Sequence, residues 1–277
     1  SQNAGNAPFF LWVDSFAPHE YWDPPTAFAG RYFADPAVKN FIVPGMCDES
    51  EAGIQRTKAL YYGYVTFVDK WIGHLLNRLE DLKLTDETVL IFLTDHGTEL
   101  MDNGAFGKGK HGPRDYNAKI NLWFRHPDQV PVAVEPLILS HHFCPTLLNL
   151  AGIEHQPLDG QSLWPLVKGQ ETTRGEDTVI HAWTNRVCVR SKEWACIVDT
   201  INESILPLLF NRRSDPDETI DVASNHPGVV KAFQAKLTAF LGQPLPITYQ
   251  HQPDTRTQST LARHLQIRQE KQMNGGN

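Results

Sequence analysis

The sequence predicts an α/β fold: a mostly parallel sheet flanked by helices, followed by a small antiparallel sheet and a terminal helix. Two apolar, strand-like runs, residues 9–13 and 88–94, enclose the clearest amphipathic helix of the chain. Strand, helix and strand joined by short connections predict a right-handed crossover between parallel strands. From Asp177 onward the pattern changes to short alternating segments, which is typical of antiparallel strands.

These changes of pattern divide the chain into three expected parts. Residues 1–176 are expected to form the α/β part, and residues 177–245 a small antiparallel sheet plus helix. Residues 246–277 are polar and Gln-rich and are expected to form a C-terminal tail. With 277 residues, 41% of them hydrophobic, the chain is long and apolar enough to bury a substantial core.

In the first part, residues 9–13 read as a strand buried on both faces, as in parallel sheets. Residues 55–83 repeat apolar side chains at intervals of three and four, which predicts a helix with one buried stripe. Gly63 costs such a helix about 1 kcal/mol relative to Ala, so we expect a close contact there. The expected stripe consists of Leu60, Tyr64, Phe67, Val68, Trp71, Leu75, Leu79 and Leu82.

The later elements follow from shorter patterns. After the strand at residues 88–94, a further strand is expected at residues 120–124 and a short helix at residues 140–150. The antiparallel strands are expected at residues 179–183, 186–190, 194–198 and 205–210. Residues 227–241 predict the terminal helix, with Pro227 in its first turn.

Composition excludes some classes of function. The 25 Lys plus Arg residues are outnumbered by 32 Asp plus Glu, which gives a net charge of -7. We therefore expect no general nucleic-acid surface, because a phosphate backbone requires a basic face. No run approaches the roughly 20 apolar residues of a membrane helix, so no membrane partner is expected. The four Cys residues show no metal-ligand spacing and are interpreted as reduced thiols, although spacing does not exclude a disulfide.

The candidate chemistry lies at the predicted strand ends, where ligands bind in open α/β sheets. Asp95 and His96 follow the strand at residues 88–94, and a carboxylate beside an imidazole is compatible with a divalent-cation site. The alternative is that Asp95 caps a turn and His96 is an ordinary polar residue. His19 follows the first predicted strand and would reach the same edge as a proton donor, unless it only packs on nearby aromatic rings.

A second candidate group follows in a Gly-rich loop. Lys108 lies thirteen residues after Asp95, and a lysine flanked by glycines can hold an anionic oxygen. Lys110, His111 and Arg114 follow closely and are candidate substrate contacts. Lysines in such loops are often only solvated. This group therefore indicates a functional site only in combination with Asp95 and His19, which are expected at the same edge of the sheet.

Together these motifs resemble the type I sulfatases of the alkaline-phosphatase-like superfamily. The resemblance extends from about Pro8 to Leu241. The segment PFFLWVDSFAPHEYWDPP of this chain resembles the strand and His-containing loop of the family. The segment LTDHG resembles the family's metal-ligand segment. The other matching segments are DNGAFGK, CPTLLNLAGI, DGQSL and residues 211–223.

The resemblance implies an alkaline-phosphatase-like, incomplete fold and roles for four candidate residues, but it does not fix the roles of Lys110, His111 and Arg114. Asp95 and His96 would be two ligands of one divalent cation, usually Ca²⁺ in the family. Lys108 would neutralise the sulfate and its leaving oxygen, and His19 would help to protonate the leaving alcohol. Since this chain has an imidazole where many members have an Asn oxygen, the identity of the metal stays open.

The family's nucleophile is a formylglycine made from Cys or Ser in a Cys/Ser-x-Pro-x-Arg motif, and this chain has no such motif. An Asp pair that completes the metal shell in the family is also absent. We therefore expect the C-terminal portion of a sulfatase, with weak or absent cation binding and little activity alone. Its partners would be a sulfate ester or sulfated glycan, and either the N-terminal half of the same protein or a second copy joined through an exposed sheet edge.

Two alternatives stay open. Phosphonate monoester or phosphodiester hydrolases of the same superfamily act on similar tetrahedral oxyanions. A non-catalytic, sulfatase-like binding module would instead hold an anionic glycan or a partner chain. Many relatives are exported, so a periplasmic or secreted location is expected.

Overall fold

The computed structural model of the chain describes residues 8–108, 111–129, 137–170 and 177–246. After the short helix α1 (Thr26–Ala29), the longest element is helix α2 (Glu51–Asp81). The hydroxyl of Ser50 accepts a hydrogen bond of 3.0 Å from the backbone N–H of Gly53. This cap satisfies a donor that the first helical turn leaves free, and α2 consequently begins four residues before the predicted start.

The first half of α2 buries the start of its predicted stripe. Leu60 packs there against Trp22 and Ala29 in a small core. In the second half Trp71 is 57% exposed, and Leu75 and Leu76 are exposed as well. The expectation of one continuous buried stripe is therefore wrong at Trp71 and Leu75, because nothing in the described part of the chain covers them, whereas Leu79 near the end of the helix is buried.

The strand that ends at the candidate site pairs with a later strand. Strand β1 (Leu90–Leu93) runs antiparallel to β4 (Leu122–Arg125), with Leu93 opposite Leu122. Between them lie a hairpin of two short strands, β2 (Glu99–Leu100) and β3 (Phe106–Gly107), and the helical turn α3 (Asp115–Ala118). The strands predicted at residues 88–94 and 120–124 are thus present, with shorter or shifted bounds.

The strand predicted at residues 9–13 is not formed. These residues have no strand partner, and each of their five side chains is exposed, with Phe10 at 73%. The parallel crossover to β1 is therefore absent, and every strand pair in the described ranges is antiparallel. An extended apolar run becomes a strand only when another backbone lies beside it, and the described residues supply none here.

Two helical segments lie between the hairpin region and the terminal sheet. A 3₁₀ turn (Ser140–His142) leads into α4 (Phe143–Leu150), which together match the helix predicted at residues 140–150. Helix α5 (Trp164–Val167) follows and was not predicted.

The terminal subdomain has the predicted architecture. Its four strands are β5 (Thr178–Trp183), β6 (Arg186–Ser191), β7 (Trp194–Asp199) and β8 (Leu208–Asn211), antiparallel and paired in chain order. Helix α6 (Pro227–Leu241) buries Phe233 and Leu237 against Val189 and Leu209 of this sheet. The small antiparallel sheet and the terminal helix are thus confirmed, and β8 begins three residues later than predicted.

No helix in the described ranges is long and apolar enough to cross a bilayer. The predicted tail lies almost wholly beyond residue 246 and therefore outside the described residues. The division into residues 1–176, 177–245 and 246–277 stays a prediction.

Candidate active site

The hairpin of β2 and β3 brings Lys108 back towards the Asp95–His96 segment. Glu99 lies opposite Gly107 in this hairpin, and the hydroxyl of Thr98 donates a 3.2 Å hydrogen bond to the carbonyl oxygen of Gly107. Gly107 has a φ of +86°, a conformation that glycine adopts without strain, and Lys108 follows it directly.

Gly97 sets the turn between the candidate ligands and the hairpin. Its N–H donates a 2.8 Å hydrogen bond to the carbonyl oxygen of Asn117. A Cβ atom at position 97 would lie 2.0 Å from the carbonyl oxygen of Tyr116, so no larger residue fits without moving the backbone. The Asp-His-Gly motif therefore requires its glycine for close packing of two backbone segments.

Lys108 reaches His19 across 89 residues of sequence. Its Nζ lies 2.6 Å from His19 Nε2 and 3.3 Å from the carboxylate of Glu20. The same Glu20 oxygen lies 3.2 Å from His19 Nδ1, and the Phe16 ring stacks on the imidazole with ring centres 4.3 Å apart. The structure thus brings together the two predicted catalytic residues and adds a carboxylate, in a partly buried cluster.

Asp95 and His96 lie side by side but do not form a complete cation site. His96 Nδ1 lies 2.7 Å from the carbonyl oxygen of Gly97, which only accepts, so Nδ1 carries a proton. His96 Nε2 lies 3.5 Å from Asp95 Oδ2, and the Asp95 side chain is 86% exposed. No group of three or more His, Cys, Asp or Glu ligands occurs in the described residues. Two ligands fall short of the six to eight oxygens that Ca²⁺ takes, so these residues alone do not fit the ion.

His111 and Arg114, predicted as substrate contacts, are both held by other side chains. His111 Nδ1 lies 2.7 Å from Oε2 of the fully buried Glu99. The buried Arg114 donates to the backbone carbonyl of Glu218 and, at 3.1 Å, to Asn103 Oδ1. Their contact with substrate stays a prediction, and Lys110 lies outside the described residues.

A buried charge cluster connects this loop to the terminal sheet. Arg190 on β6 forms an ion pair with Glu218 and lies 3.1 Å from Asp115 Oδ1. The other Glu218 oxygen accepts a 3.1 Å hydrogen bond from the backbone N–H of Asp115. Removal of Arg190 would leave the buried Glu218 carboxylate without its cationic partner, so these contacts hold the segment that begins at Asp115 against the terminal subdomain.

A cavity of about 1080 Å³ opens beside the candidate ligands. Asp95, His96 and Arg190 line it, together with His181 and Trp183 of β5. Burial, and then the charge of Arg190, lower the pKa of His181 to about 4. His181 is therefore neutral at pH 7, and the wall of the cavity formed by β5 presents an uncharged imidazole and an indole.

Sequence reasoning missed the carboxylates that hold the candidate residues. Glu20 is adjacent to His19 in the chain, and that adjacency was an available signal. Glu99 and Glu218 are distant in sequence from the groups they contact, so local patterns could not have identified them.

Comparisons with known proteins identify sulfatases as relatives of this chain. The family model described as Sulfatase matches residues 1–153. A choline-sulfatase of Rhizobium meliloti is 28% identical over 70% of this chain and 38% of its own length. Human arylsulfatase K is 29% identical over 72% of this chain and 39% of its own length. The chain therefore spans about two fifths of these curated relatives.

Solved structures share the fold at low sequence identity. A protein of the glycosaminoglycan-metabolism locus of Bacteroides thetaiotaomicron has a TM-score of 0.69 at 20% identity, covering 88% of this chain and 57% of its own. A phosphonate monoester hydrolase of Agrobacterium radiobacter has a TM-score of 0.61 at 23% identity, covering 70% and 43%. The described elements thus belong to a mixed α/β, alkaline-phosphatase-like fold.

Proposed function

This chain belongs to the sulfatase family, whose model matches more than half of its length, and we propose that it is the lysine- and histidine-bearing part of a sulfuric-ester hydrolase. The observation that carries the proposal is the 2.6 Å contact between Lys108 and His19. Two predicted catalytic residues that are far apart in sequence meet in one cluster, as a site for an anionic ester requires.

The two side chains can act on different parts of a sulfate ester. The Lys108 ammonium group carries a positive charge that stabilises the negative charge developing on the sulfate oxygens and on the leaving oxygen. The imidazole of His19 is in direct contact with that ammonium group and can relay its proton. Neither role requires a group from outside the described residues.

The nucleophile is proposed to lie outside these 277 residues. Cys47 and Cys144 lack the Pro and Arg of the formylglycine motif. Burial raises the pKa of Cys188 and Cys196 to about 12, so both thiols stay protonated and unreactive. We therefore expect the chain to hydrolyse little or nothing by itself, since its matched part covers only 38–39% of the length of these curated relatives.

Sulfatases generally use a divalent cation, and we propose Ca²⁺ with Asp95 and His96 as two of its ligands. The 3.5 Å distance between Asp95 Oδ2 and His96 Nε2 supports this assignment, because one cation could contact both atoms. Further ligands would have to come from the rest of the protein. A cation bound there would neutralise charge on the sulfate oxygens.

The exposed apolar surface supports a covering partner. Residues 9–13, together with Trp71, Leu75 and Leu76 of α2, expose large apolar side chains that a stable domain normally buries. We propose that the N-terminal half of the same protein covers them, with association of two copies as the alternative. A periplasmic or secreted location is proposed as well, and the substrate is proposed to be a sulfate ester or sulfated glycan.

The test is hydrolysis of matched esters by the full-length protein. A 4-nitrophenyl sulfate, a bis(4-nitrophenyl) phosphate and a 4-nitrophenyl phosphonate are compared at equal concentration. We expect the sulfate to have the highest kcat/KM. Equal or faster turnover of either phosphorus ester would contradict the sulfatase proposal and favour the phosphonate monoester or phosphodiester hydrolase, which the similarity to a phosphonate monoester hydrolase keeps open.

The non-catalytic alternative predicts a different outcome. A sulfatase-like module that only binds anionic glycans would hydrolyse none of the three esters. Mass spectrometry of the natural protein also distinguishes catalysis from binding alone. A formylglycine aldehyde in a peptide from outside these 277 residues would support catalysis. A full-length sequence without the Cys/Ser-x-Pro-x-Arg motif would favour binding.

A further inference from the structure

Glu20 is the one carboxylate that contacts both His19 and Lys108 in the described part of the chain. A single oxygen, Oε2, lies 3.3 Å from Lys108 Nζ and 3.2 Å from His19 Nδ1. The Glu20 side chain is 18% exposed, so much of its charge is removed from water. The partly buried Glu20 carboxylate is stabilised by the positive charge of the Lys108–His19 pair, and it holds that pair in place.

The hydrogen-bond partners define where the protons are. His19 Nδ1 lies 2.7 Å from the backbone carbonyl oxygen of Glu20, which only accepts, so Nδ1 carries a proton. His19 Nε2 faces Lys108 Nζ at 2.6 Å, and one proton lies between these two nitrogens. The pair holds one positive charge in either arrangement, as ammonium with neutral imidazole or as amine with imidazolium, and Glu20 supplies the matching negative charge.

We propose that Glu20 is a positioning residue that keeps this shared proton on the Lys108–His19 pair, ready for the oxygen of the leaving alcohol. The inference rests on the proposed ester hydrolysis and deepens it. Without the Glu20 charge, the pair would hold a positive charge with no counter-charge, and His19 would lose the carboxylate that faces its Nδ1.

The step balances in atoms and electrons. The nucleophile that we propose to lie outside these residues supplies the electron pair for a new bond to sulfur. The bond between sulfur and the leaving oxygen then breaks, its electron pair goes to that oxygen, and the oxygen takes the shared proton from the pair and becomes an alcohol. The pair is left as neutral amine and neutral imidazole, and bulk water returns the proton before the next turnover. The leaving oxygen needs this proton most when its alcohol is a weak acid, since a nitrophenolate is stable without it.

The experiment therefore varies the leaving group in the full-length protein. Steady-state kcat and KM are measured for 4-nitrophenyl, phenyl and alkyl sulfates with the wild type and with Glu20→Gln. We expect kcat of the variant to fall by about 10²-fold or more on the alkyl sulfate and by less than about fivefold on the 4-nitrophenyl sulfate. KM is expected to change by less than about threefold on each ester, because Glu20 acts on the proton and not on the sulfate.

Two further variants provide the control and the rescue. Asp23→Asn removes one negative charge from the same loop at an exposed position, and it should retain wild-type kcat on all three esters. Glu20→Asp keeps the charge on a shorter side chain and should recover most of the loss on the alkyl sulfate. If Glu20→Gln folds poorly, Glu20→Asp still tests the proposal, because its remaining loss should again grow from the aryl to the alkyl ester.

The outcomes separate this inference from the proposed function. Equal losses of kcat on all three esters, or a loss confined to KM, would overturn the role of Glu20 while ester hydrolysis stands. A wild-type protein that hydrolyses none of the sulfates would overturn the proposed function, and the inference with it.

Discussion

At the scale of the residue, His181 gives the chain a pH-dependent stability. Its pKa is lowered to about 4 by burial and by the neighbouring charge of Arg190, whose Nε lies 3.4 Å from His181 Nε2. In the unfolded chain a histidine titrates near 6.5. Between about pH 4 and 6.5 the unfolded chain therefore binds more protons than the folded one, so stability decreases as the pH falls through this range.

We expect the free energy of unfolding to be about 2 kcal/mol lower at pH 5 than at pH 7 on account of His181 alone. Urea unfolding at the two pH values measures it. His181→Gln should remove most of the difference, whereas His155→Gln, at an exposed position, should keep it. An unchanged pH dependence in His181→Gln would contradict the assignment.

Residue types and spacing identified His19 and Lys108 as candidate site residues but did not identify the side chains that hold them. His19 and Lys108 were recognisable because each follows a strand-like or Gly-rich segment. The contact between Glu99 and His111 depends on the folding of the β2–β3 hairpin and the loop after it, which no local pattern specifies. Pairing of charges is a tertiary property, so carboxylate partners become visible only in the structure.

At the scale of the element, two glycines of α2 have opposite surroundings. A Cβ at Gly63 would lie 2.5 Å from the backbone nitrogen of Ala29, whereas a Cβ at Gly73 would meet nothing within 4 Å. The close contact expected at Gly63 from the sequence is therefore confirmed. It allows α1 and α2 to pack at backbone distance.

The matched substitutions should shift stability in opposite directions. Gly63→Ala should lower the free energy of unfolding by about 1–3 kcal/mol through overpacking. Gly73→Ala should raise it by about 0.5–1 kcal/mol, because alanine is the better helix former. Thermal unfolding followed by circular dichroism compares them, and stabilisation by both would contradict the described packing.

The elements differ in how far the sequence predicts them. The terminal sheet was predicted closely because β5 to β8 are joined in chain order by short connections, so each strand pairs with its neighbour in sequence. Residues 9–13 have the composition of a buried strand, yet composition cannot supply the second backbone that a strand requires. The prediction failed there for lack of a partner and not for lack of apolar residues.

At the scale of the whole molecule, the chain should associate through the surface that residues 9–13 expose. Sedimentation velocity of the 277-residue chain should give a sedimentation coefficient that rises with concentration. Phe10→Ser should weaken this dependence, whereas Phe240→Ser should not, although Phe240 on α6 is 69% exposed against 73% for Phe10. A compact monomer at every concentration would contradict the account of an uncovered interface.

The central claim is that Lys108 acts on a sulfate ester in the complete protein, and hydrolysis of 4-nitrophenyl sulfate by full-length variants tests it most directly. Lys108→Ala should lower kcat/KM by about 10²–10⁴-fold, since the leaving oxygen and the sulfate lose their cationic partner. Lys231→Ala, which removes an exposed lysine on α6, should stay within about twofold of the wild type. Near wild-type turnover by Lys108→Ala would contradict the account.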